Sequence, residues 1–287
     1  MTRTSLSCLL ALSITSFSTL ADDDRFKDVT ITSQKLTENA YMFTGSGGNI
    51  GVSAGIDGIL IIDDQFAPLA DKISATLNEI QAGKPKYVIN THYHGDHTGG
   101  NALFGEQGII FAHHNVLKRL SAKEGTPKAA LPVVTYSKDV SIRFNNDTLT
   151  LKHMGPGHTD GDSVVFWEND NLVHMGDLFF KDRFPYVDLN GGGSVIGYRD
   201  NVAKALTMMD KQTQVIPGHG ELANKNDLMK FKHMLDDSIN WMKKKLTQGK
   251  TLEQIQAEGV PAKWKDWSWN FITEEKWINT LYQDLKK

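Results

Sequence analysis

Three histidines and an aspartate are crowded into the six positions from His92 to His97. They follow the apolar run Tyr87–Ile89, which is typical of a short strand, so the four side chains are expected in a loop at a strand end. A core has no use for so many nitrogen and oxygen donors, whereas a divalent metal does, and imidazole-rich sets favour zinc. Alternate residues of an extended segment share a face, so His92 and His94 are expected to point together. Asp96 and His97 can turn to a second ion. A solvated loop is the alternative, but it would not need the neighbouring glycines.

The composition excludes several classes of protein. A chain of 287 residues with 40% hydrophobic and 23% charged residues can bury a sizeable core, which rules out wholesale disorder. The formal charge is −3 and no basic block occurs, so we expect no nucleic-acid partner and predict a small-molecule substrate. The single cysteine, Cys8, excludes an internal disulfide. The sequence does not define the oligomeric state.

Residues 1–21 have the pattern of a signal peptide. Arg3 supplies the positive start, the apolar stretch Leu6–Leu20 is interrupted by serine and threonine, and Ala21 ends a cleavage-site pattern of small residues. A membrane anchor is the alternative, but the apolar run is too short and too rich in hydroxyls to span a bilayer. We therefore expect export to a bacterial periplasm, with no membrane attachment after cleavage and with Cys8 removed.

Strand-like runs and helical runs alternate twice after the signal. The strand-like runs cover residues 29–36, 40–44, 50–54, 59–62, 87–89, 109–111, 140–144, 149–152, 164–167, 172–174 and 214–216. Helices are predicted from Pro68 to Gly83 and near Asp200–Met209. Strands followed by helices in each half indicate sheets packed on one another with helices outside.

The chain divides at about residue 224. Residues 22–224 are predicted to form one catalytic domain, and residues 225–287 a helical extension packed on it. One helical face of the extension is apolar, with Leu228, Phe231, Leu235, Ile239, Met242 and Leu246. Five of the six tryptophans lie in the extension, and core packing is their predicted role. A lip over the substrate, formed by Trp264–Trp269, is the alternative.

The pattern His-x-His-x-Asp-His after a short strand resembles the signature of the metallo-β-lactamase superfamily. Three later segments resemble the rest of that signature in the same order, and they are Gly155–Asp162, His174–Asp177 and Pro217–Gly220. The resemblance covers residues from about 40 to 222. It implies an α/β protein with the αββα sandwich of that superfamily.

The resemblance also implies the ligand sets of two zinc ions. The first ion would be held by His92, His94 and His158. The second would be held by Asp96, His97 and His219. Asp177 would lie between them.

Zinc ions that share a hydroxide would supply a nucleophile without serine or cysteine, which would attack a carbonyl carbon. Asp96 is the predicted catalytic residue, because it would orient that hydroxide as well as bind metal. The imidazole N–H groups that face away from the ions need acceptors, and Asp57, Asp63 and Thr159 are candidates.

Residues around the ligands bear on the type of hydrolase. His94 stands where iron-dependent oxygen reductases of this fold carry Glu, so hydrolysis is favoured over redox chemistry. Asp177 stands where class B1 β-lactamases carry Cys, and in this it resembles glyoxalase II, lactonases and tRNA-processing endonucleases. Lys181 and Asn190 lie near the offsets at which B1 enzymes carry a Lys and a Gly-Asn loop. The resemblance implies that Lys181 would hold a substrate carboxylate and Asn190 the carbonyl oxygen.

Opening of a β-lactam ring is therefore the leading prediction. The alternative is a glyoxalase II-like hydrolase of thiolesters or lactones. A non-enzymatic zinc-binding periplasmic protein is the alternative from another functional class. The complete ligand set argues against it, because an inactive protein would need no site for a nucleophile. Surface roles for Lys181 and Asn190 also remain open, since a fold-level analogy does not define a substrate.

Other notable residues have structural interpretations. His113 and His114 are predicted to cap or pack a helix, and His153 and His174 to be hydrogen-bonded residues of strands. The glycine cluster Gly45–Asn49 precedes no helix, so it is interpreted as a hairpin turn near the cleft and not as a phosphate loop.

Overall fold

A computed structural model describes residues 24–286, and the predicted signal segment lies outside them. Within this range the chain forms two β-sheets that pack face to face, with helices on both outer surfaces. The predicted αββα sandwich is confirmed.

The first sheet contains seven strands in sequence order, β1 to β7. Their bounds are Thr32–Lys35, Ala40–Thr44, Ile50–Gly55, Gly58–Ile62, Pro85–Asn90, Ile109–His113 and Val134–Tyr136. Strands β1 to β4 are antiparallel, and β4 to β7 are parallel. The histidine-rich stretch begins at the carboxyl end of β5, which lies between its parallel neighbours β4 and β6.

The second sheet contains six strands, in the order β13-β12-β11-β10-β9-β8. Their bounds, from β8 to β13, are Asp139–Phe144, Asp147–His153, Ser163–Trp167, Leu172–His174, Gln214–Ile216 and Ala223–Asn224. Only the pair β11 and β12 is parallel. The loops that follow β9, β11 and β12 carry the remaining predicted ligands.

Eight α-helices surround the sheets in the described part of the chain. Their bounds, from α1 to α8, are Ala70–Ile80, Gly95–Thr98, Asn101–Phe104, His114–Ala122, Val195–Thr207, Lys225–Thr247, Leu252–Glu258 and Glu274–Leu285. No helix among residues 24–286 is long and apolar enough to cross a membrane.

The buried apolar side chains form three layers. One lies between the sheets and joins Met42, Leu60 and Ile89 to Leu151 and Trp167. A second joins the outer face of the first sheet to α1. The third is the largest, and it joins the second sheet to α5, α6 and α8. The helices after residue 224 thus share a core with the sandwich.

Several elements differ from the predictions in their bounds. Strand β7, Val134–Tyr136, was not predicted. Helix α5 begins five residues earlier than predicted, because the Ser194 side chain accepts a hydrogen bond from the Gly197 amide and caps it there. The turn between β8 and β9 is formed by Asn145 and Asn146, and both residues have positive φ, which asparagine tolerates.

Candidate metal centre

Four loops at one end of the sandwich bring the seven predicted ligands together. His92 and His94 follow β5, and Asp96 and His97 lie in the one-turn helix α2. The other three come from the second sheet, His158 after β9, Asp177 after β11 and His219 after β12. The ligands therefore come from both sheets and meet at the edge between them.

The seven side chains form two groups. Within each group, the potential ligand atoms all lie within 4.8 Å of one another. The first group contains His92, His94, His158 and Asp177. The second contains Asp96, His97 and His219. The first group gathers three imidazoles, and His94 Nδ1 lies 2.8 Å from His158 Nε2.

Asp177 lies between the two groups with one oxygen toward each. Its Oδ2 is 3.3 Å from His158 Nε2 and 3.8 Å from His92 Nε2. Its Oδ1 is 3.0 Å from His97 Nε2 and 3.3 Å from His219 Nε2. A single buried carboxylate thus faces both groups, as the resemblance implied for this position.

Hydrogen bonds on the far side of the rings fix which imidazole nitrogen faces the centre. His97 Nδ1 lies 2.7 Å from Asp63 Oδ2. The Thr91 hydroxyl donates to the same carboxylate at 2.7 Å and therefore accepts from His92 Nδ1 at 3.0 Å. Asp63 thus orients His97 directly and His92 through Thr91.

Two further acceptors hold the other histidines of the first group. His94 Nε2 lies 3.0 Å from Asp188 Oδ2, and His158 Nδ1 lies 2.7 Å from the Tyr186 carbonyl oxygen. Each outer nitrogen is then the N–H donor, which leaves an unprotonated nitrogen facing the centre.

The residues present fit a metal ion. The inner nitrogens of His94 and His158 converge with lone pairs toward each other, an arrangement that a cation between them stabilises. His92 Nε2 is buried and has no hydrogen-bond partner among the described residues. Buried polar atoms are rarely left unpaired, and neutral imidazoles with carboxylates are the donor set that zinc prefers.

The ionisation of the first ligand group and of the two carboxylates suits metal binding in the protein alone. Burial lowers the pKa of His158 to about 4 and holds the pKa of His92 well below its usual value. Burial alone would raise the pKa of Asp96 and of Asp177, but the neighbouring histidines, His97 first, outweigh it and lower both. At neutral pH His92 and His158 are therefore neutral and both carboxylates are charged, which are the forms that bind metals. Burial would lower the pKa of His97 and of His219, but the neighbouring carboxylates, Asp177 first, outweigh it and raise both, so these two rings would lose a proton when a metal binds.

A cavity of about 690 Å³ opens over the centre. Asp96, Asp177 and His219 contribute to its lining. Much of the remaining lining is aromatic, with Phe66, Tyr93, Phe180, Tyr186, Trp269 and Phe271. Such a cavity can hold a small molecule with a substantial apolar part.

Neither predicted substrate-binding residue lines this cavity. The Lys181 ammonium donates a hydrogen bond to the Leu222 carbonyl oxygen at 2.9 Å, and Asn190 is exposed. Their roles in substrate binding stay predictions, and the placement gives them no support.

Of the three residues predicted to accept from the imidazole N–H groups that face away from the centre, only one does so. Asp63 is confirmed as an acceptor. Thr159 instead bonds the Asp162 carboxylate, and Asp57 accepts from the Asn145 amide at 2.7 Å, so neither holds an imidazole. Spacing alone does not show which carboxylate faces a ring.

The structural interpretations of His113, His153 and His174 are confirmed. His113 Nδ1 accepts from the Asn115 amide at the start of α4. His153 Nδ1 lies 2.7 Å from the Asp162 carbonyl oxygen, and His174 Nε2 lies 3.0 Å from that of Asn49.

Sequence reasoning missed Asp188, Thr91 and Tyr93. Tyr93 and Asp188 form a hydrogen bond, so Asp188 connects the Tyr93 hydroxyl with His94. Thr91 adjoins the motif and offered a weak signal. Asp188 offered none, because only the folded loop after β11 brings it to His94. Of the tryptophans in the alternative lip, Trp269 lines the cavity, while Trp264 and Trp267 are buried, as core packing predicts.

The sandwich and its convergent imidazoles and carboxylates define a metal-binding αββα protein. The family model described as the metallo-beta-lactamase superfamily matches residues 35–219. The chain belongs to this superfamily of metal-dependent hydrolases.

Individual relatives agree with this assignment. The chain is 31% identical over 183 residues to "Probable metallo-hydrolase YybB" of Bacillus subtilis (strain 168), covering 58% of this chain and 77% of the relative. It is 20% identical over 177 residues to a metallo-beta-lactamase type 2 of Bacteroides fragilis, covering 58% of this chain and 69% of that protein.

Solved structures show the same fold. The metallo-beta-lactamase from Pontibacter korlensis matches with a TM-score of 0.62 and 17% identity, covering 72% of this chain and all of that one. The DIM-1 metallo-beta-lactamase matches with a TM-score of 0.63 and 17% identity, covering 73% of this chain and 99% of that one.

Proposed function

We propose that this hydrolase binds two zinc ions and opens the β-lactam ring of small-molecule substrates. The observation that carries the proposal is the placement of Asp177, with one oxygen toward each of two groups of ligand atoms, at the floor of an open cavity. Zinc bound to these groups would supply Lewis acidity for the scissile carbonyl and for the attacking water.

Asp96 is suited to orient the attacking water. It belongs to the second ligand group, its side chain is 25% exposed, and it lines the cavity. The other carboxylate between the groups, Asp177, is only 5% exposed. Asp96 therefore combines contact with the ligand cluster and access to a substrate, and its lowered pKa keeps it a hydrogen-bond acceptor.

The other side chains hold the ligands in place. Asp63 and Asp188 accept from the outer nitrogens of His97 and His94, so both rings keep one orientation. Pre-arranged ligands lose little freedom when the substrate reacts. The largely aromatic lining suits a bulky acyl group.

A substrate panel with the metal-loaded protein tests the proposal. A chromogenic cephalosporin, a thiolester and a lactone are assayed together, with metal content measured on the same sample. We expect the cephalosporin to have the highest kcat/KM, chelation to abolish its turnover, and Asp96→Ala to reduce kcat at least about 100-fold with an unchanged circular dichroism spectrum. Turnover that resists chelation would exclude the zinc mechanism.

A lactone or thiolester hydrolase is the second candidate. It is favoured by the imidazole and carboxylate ligand set, with Asp177 in place of a thiolate, and by the turn of Lys181 toward Leu222. Higher kcat/KM for the lactone or thiolester than for the cephalosporin would establish it.

We further propose that the protein acts in the periplasm after removal of residues 1–21. The support is the sequence pattern of that segment. Mass spectrometry of the exported protein should find an N-terminus at Asp22, and an intact Met1 in the cell-associated protein would contradict the proposal.

A further inference from the structure

Segments on both sides of the family-matched region 35–219 contribute to the rim of the cavity. Arg25 belongs to the short 3₁₀ helix Asp24–Phe26. Trp269 and Phe271 precede α8, within the helical extension. The matched region contains all seven predicted metal ligands, whereas these three residues lie outside it and line the cavity.

The segment that carries Arg25 is fixed by α1. The Lys72 ammonium donates hydrogen bonds to the carbonyl oxygens of Phe26, Lys27 and Val29 at 2.9, 2.7 and 2.7 Å. Phe26 is 3% exposed and packs in the outer core of the first sheet. This anchoring gives Arg25 a defined position at the cavity.

The Arg25 guanidinium lies against aromatic rings. Its Cζ is 4.4 Å from the ring centre of Phe26 and 5.1 Å from that of Phe66. Among residues 25–286 it has no carboxylate partner, and no other lysine or arginine in that range lines the cavity. Because aromatic faces use none of the N–H donors, the planar fork is free for a carboxylate.

The aromatic part of the rim is also fixed. Trp269 Nε1 donates to the Phe184 carbonyl oxygen at 2.9 Å. Phe271 is 50% exposed, and its ring centre lies 5.5 Å from that of Tyr186 and 5.6 Å from that of Trp269. A half-exposed phenylalanine at the mouth of a cavity leaves apolar surface for a ligand to cover.

We propose that these two segments select the substrate, with Arg25 pairing with its carboxylate and Trp269 with Phe271 contacting an aromatic group. The ligand class is thus an aryl-bearing carboxylate. The inference rests on the proposed function for the identity of the reacting bond. It assigns to Arg25 the role that the sequence predicted for Lys181.

The test compares benzylpenicillin with its methyl ester on the metal-loaded full chain. Arg25→Ala should raise the KM for the acid about tenfold and that for the ester less than about twofold, because a charge-assisted bidentate pair is lost only with the acid. Arg25→Lys should give an intermediate value. Arg143→Ala, an exposed arginine on β8, is the matched control and should change neither KM.

The aromatic contact has its own comparison. Phe271→Ala should raise the KM for benzylpenicillin about threefold and leave that for 6-aminopenicillanic acid, which lacks the aryl group, unchanged. An equal effect on both compounds would show that Phe271 acts on the fold of the rim and would overturn its assigned role.

Binding measurements separate this inference from the proposed function. If β-lactams bind without turnover, the proposed reaction fails, and the affinities of the same compounds are compared by calorimetry. A preference for the acid that Arg25→Ala abolishes would still support the pairing of Arg25 with the carboxylate. Equal affinity for acid and ester in the unaltered protein overturns the Arg25 assignment, whatever the turnover. Absence of both binding and turnover overturns both proposals.

Discussion

Asp63 is a single buried carboxylate that orients two metal-ligating rings, His97 directly and His92 through Thr91. It is 0% exposed, and its φ of 64° is uncommon for a residue with a side chain. Aspartate tolerates this conformation better than most residues, so the backbone and the hydrogen bonds require the same residue type.

Asp63→Asn should weaken zinc binding. Asparagine keeps the size and tolerates the positive φ, but a neutral amide is a poorer acceptor for the imidazole N–H. We expect zinc affinity to fall about 10- to 100-fold in a chelator competition. Asp57→Asn is the matched control, since Asp57 bonds the Asn145 amide and no imidazole. Unchanged zinc affinity in Asp63→Asn would show that the outer carboxylate contributes nothing.

His113 should make stability fall in acid. Burial, with the nearby His153 and His114, lowers its pKa from 6.5 to about 4. Its ring stacks on His153 with centres 3.8 Å apart, and its Nδ1 accepts from the Asn115 amide. Between these values the unfolded chain binds a proton that the native state excludes, so the free energy of unfolding decreases as the pH falls from 6.5 toward 4.

His113→Asn should reduce this pH dependence, because asparagine can also cap α4 and does not titrate. Urea unfolding at about pH 7 and about pH 5 should show a smaller drop in the free energy of unfolding than in the unaltered protein. His233→Asn, at an exposed position on α6, is the control and should retain the full drop. Equal drops in all three proteins would contradict the prediction.

The turn between β2 and β3 passes directly over the metal centre. A Cβ at Gly48 would lie 2.1 Å from His97 Cε1, far inside contact distance. Glycine is therefore required by the close approach of the backbone to a ligand ring. The sequence predicted a hairpin turn near the cleft here, but it gave no sign of the ring that the turn covers.

Gly48→Ala should displace either the turn or His97. We expect zinc affinity to fall at least about tenfold, by the same measurement as for Asp63. Gly95→Ala is the control, since a Cβ there meets no atom within 4 Å and the position opens the neighbouring helix α2. A fully retained affinity in Gly48→Ala would mean that the turn moves freely away from the ring.

Elements whose pattern is local were predictable. Strands β2, β11 and β12 have the predicted bounds to the residue, since each has a continuous apolar or alternating run. The seven side chains that meet at the candidate metal centre were found because they occur in short motifs that follow one another in the family's order. Asp188 and Arg25 were not found, because each reaches the site only through tertiary packing. Lys181 shows the converse, since a similar offset did not bring its ammonium to the cavity.

The largest hydrophobic core of the described chain joins the second sheet to the helices of the extension. Trp277 on α8 is fully buried, its ring stacks on Phe184 with centres 5.7 Å apart, and its Nε1 donates to Ser238 Oγ on α6. Phe184 lies in the loop after β11 that also carries Asp188. The extension therefore supports the loop that positions His94.

Trp277→Ala should lower the free energy of unfolding by about 3–5 kcal/mol, because it leaves a large cavity and removes a hydrogen bond to the buried Ser238 hydroxyl. Denaturant unfolding monitored by near- and far-ultraviolet circular dichroism should give coincident transitions in the unaltered protein. Trp241→Ala, at a partly exposed position of α6, should cost clearly less. Separate transitions for sandwich and extension would contradict a shared core.

Strand β5 belongs to one sheet, and β9, β11 and β12 belong to the other. A cation bound at their ends would therefore link the two sheets. Because this link would form only in the folded chain, metal binding would shift the unfolding equilibrium toward the native state by mass action. Chelation should therefore lower the thermal midpoint even with no substrate present, and returning zinc should restore it. The same ions that the chemistry requires would then also govern how long the molecule survives in a metal-poor environment.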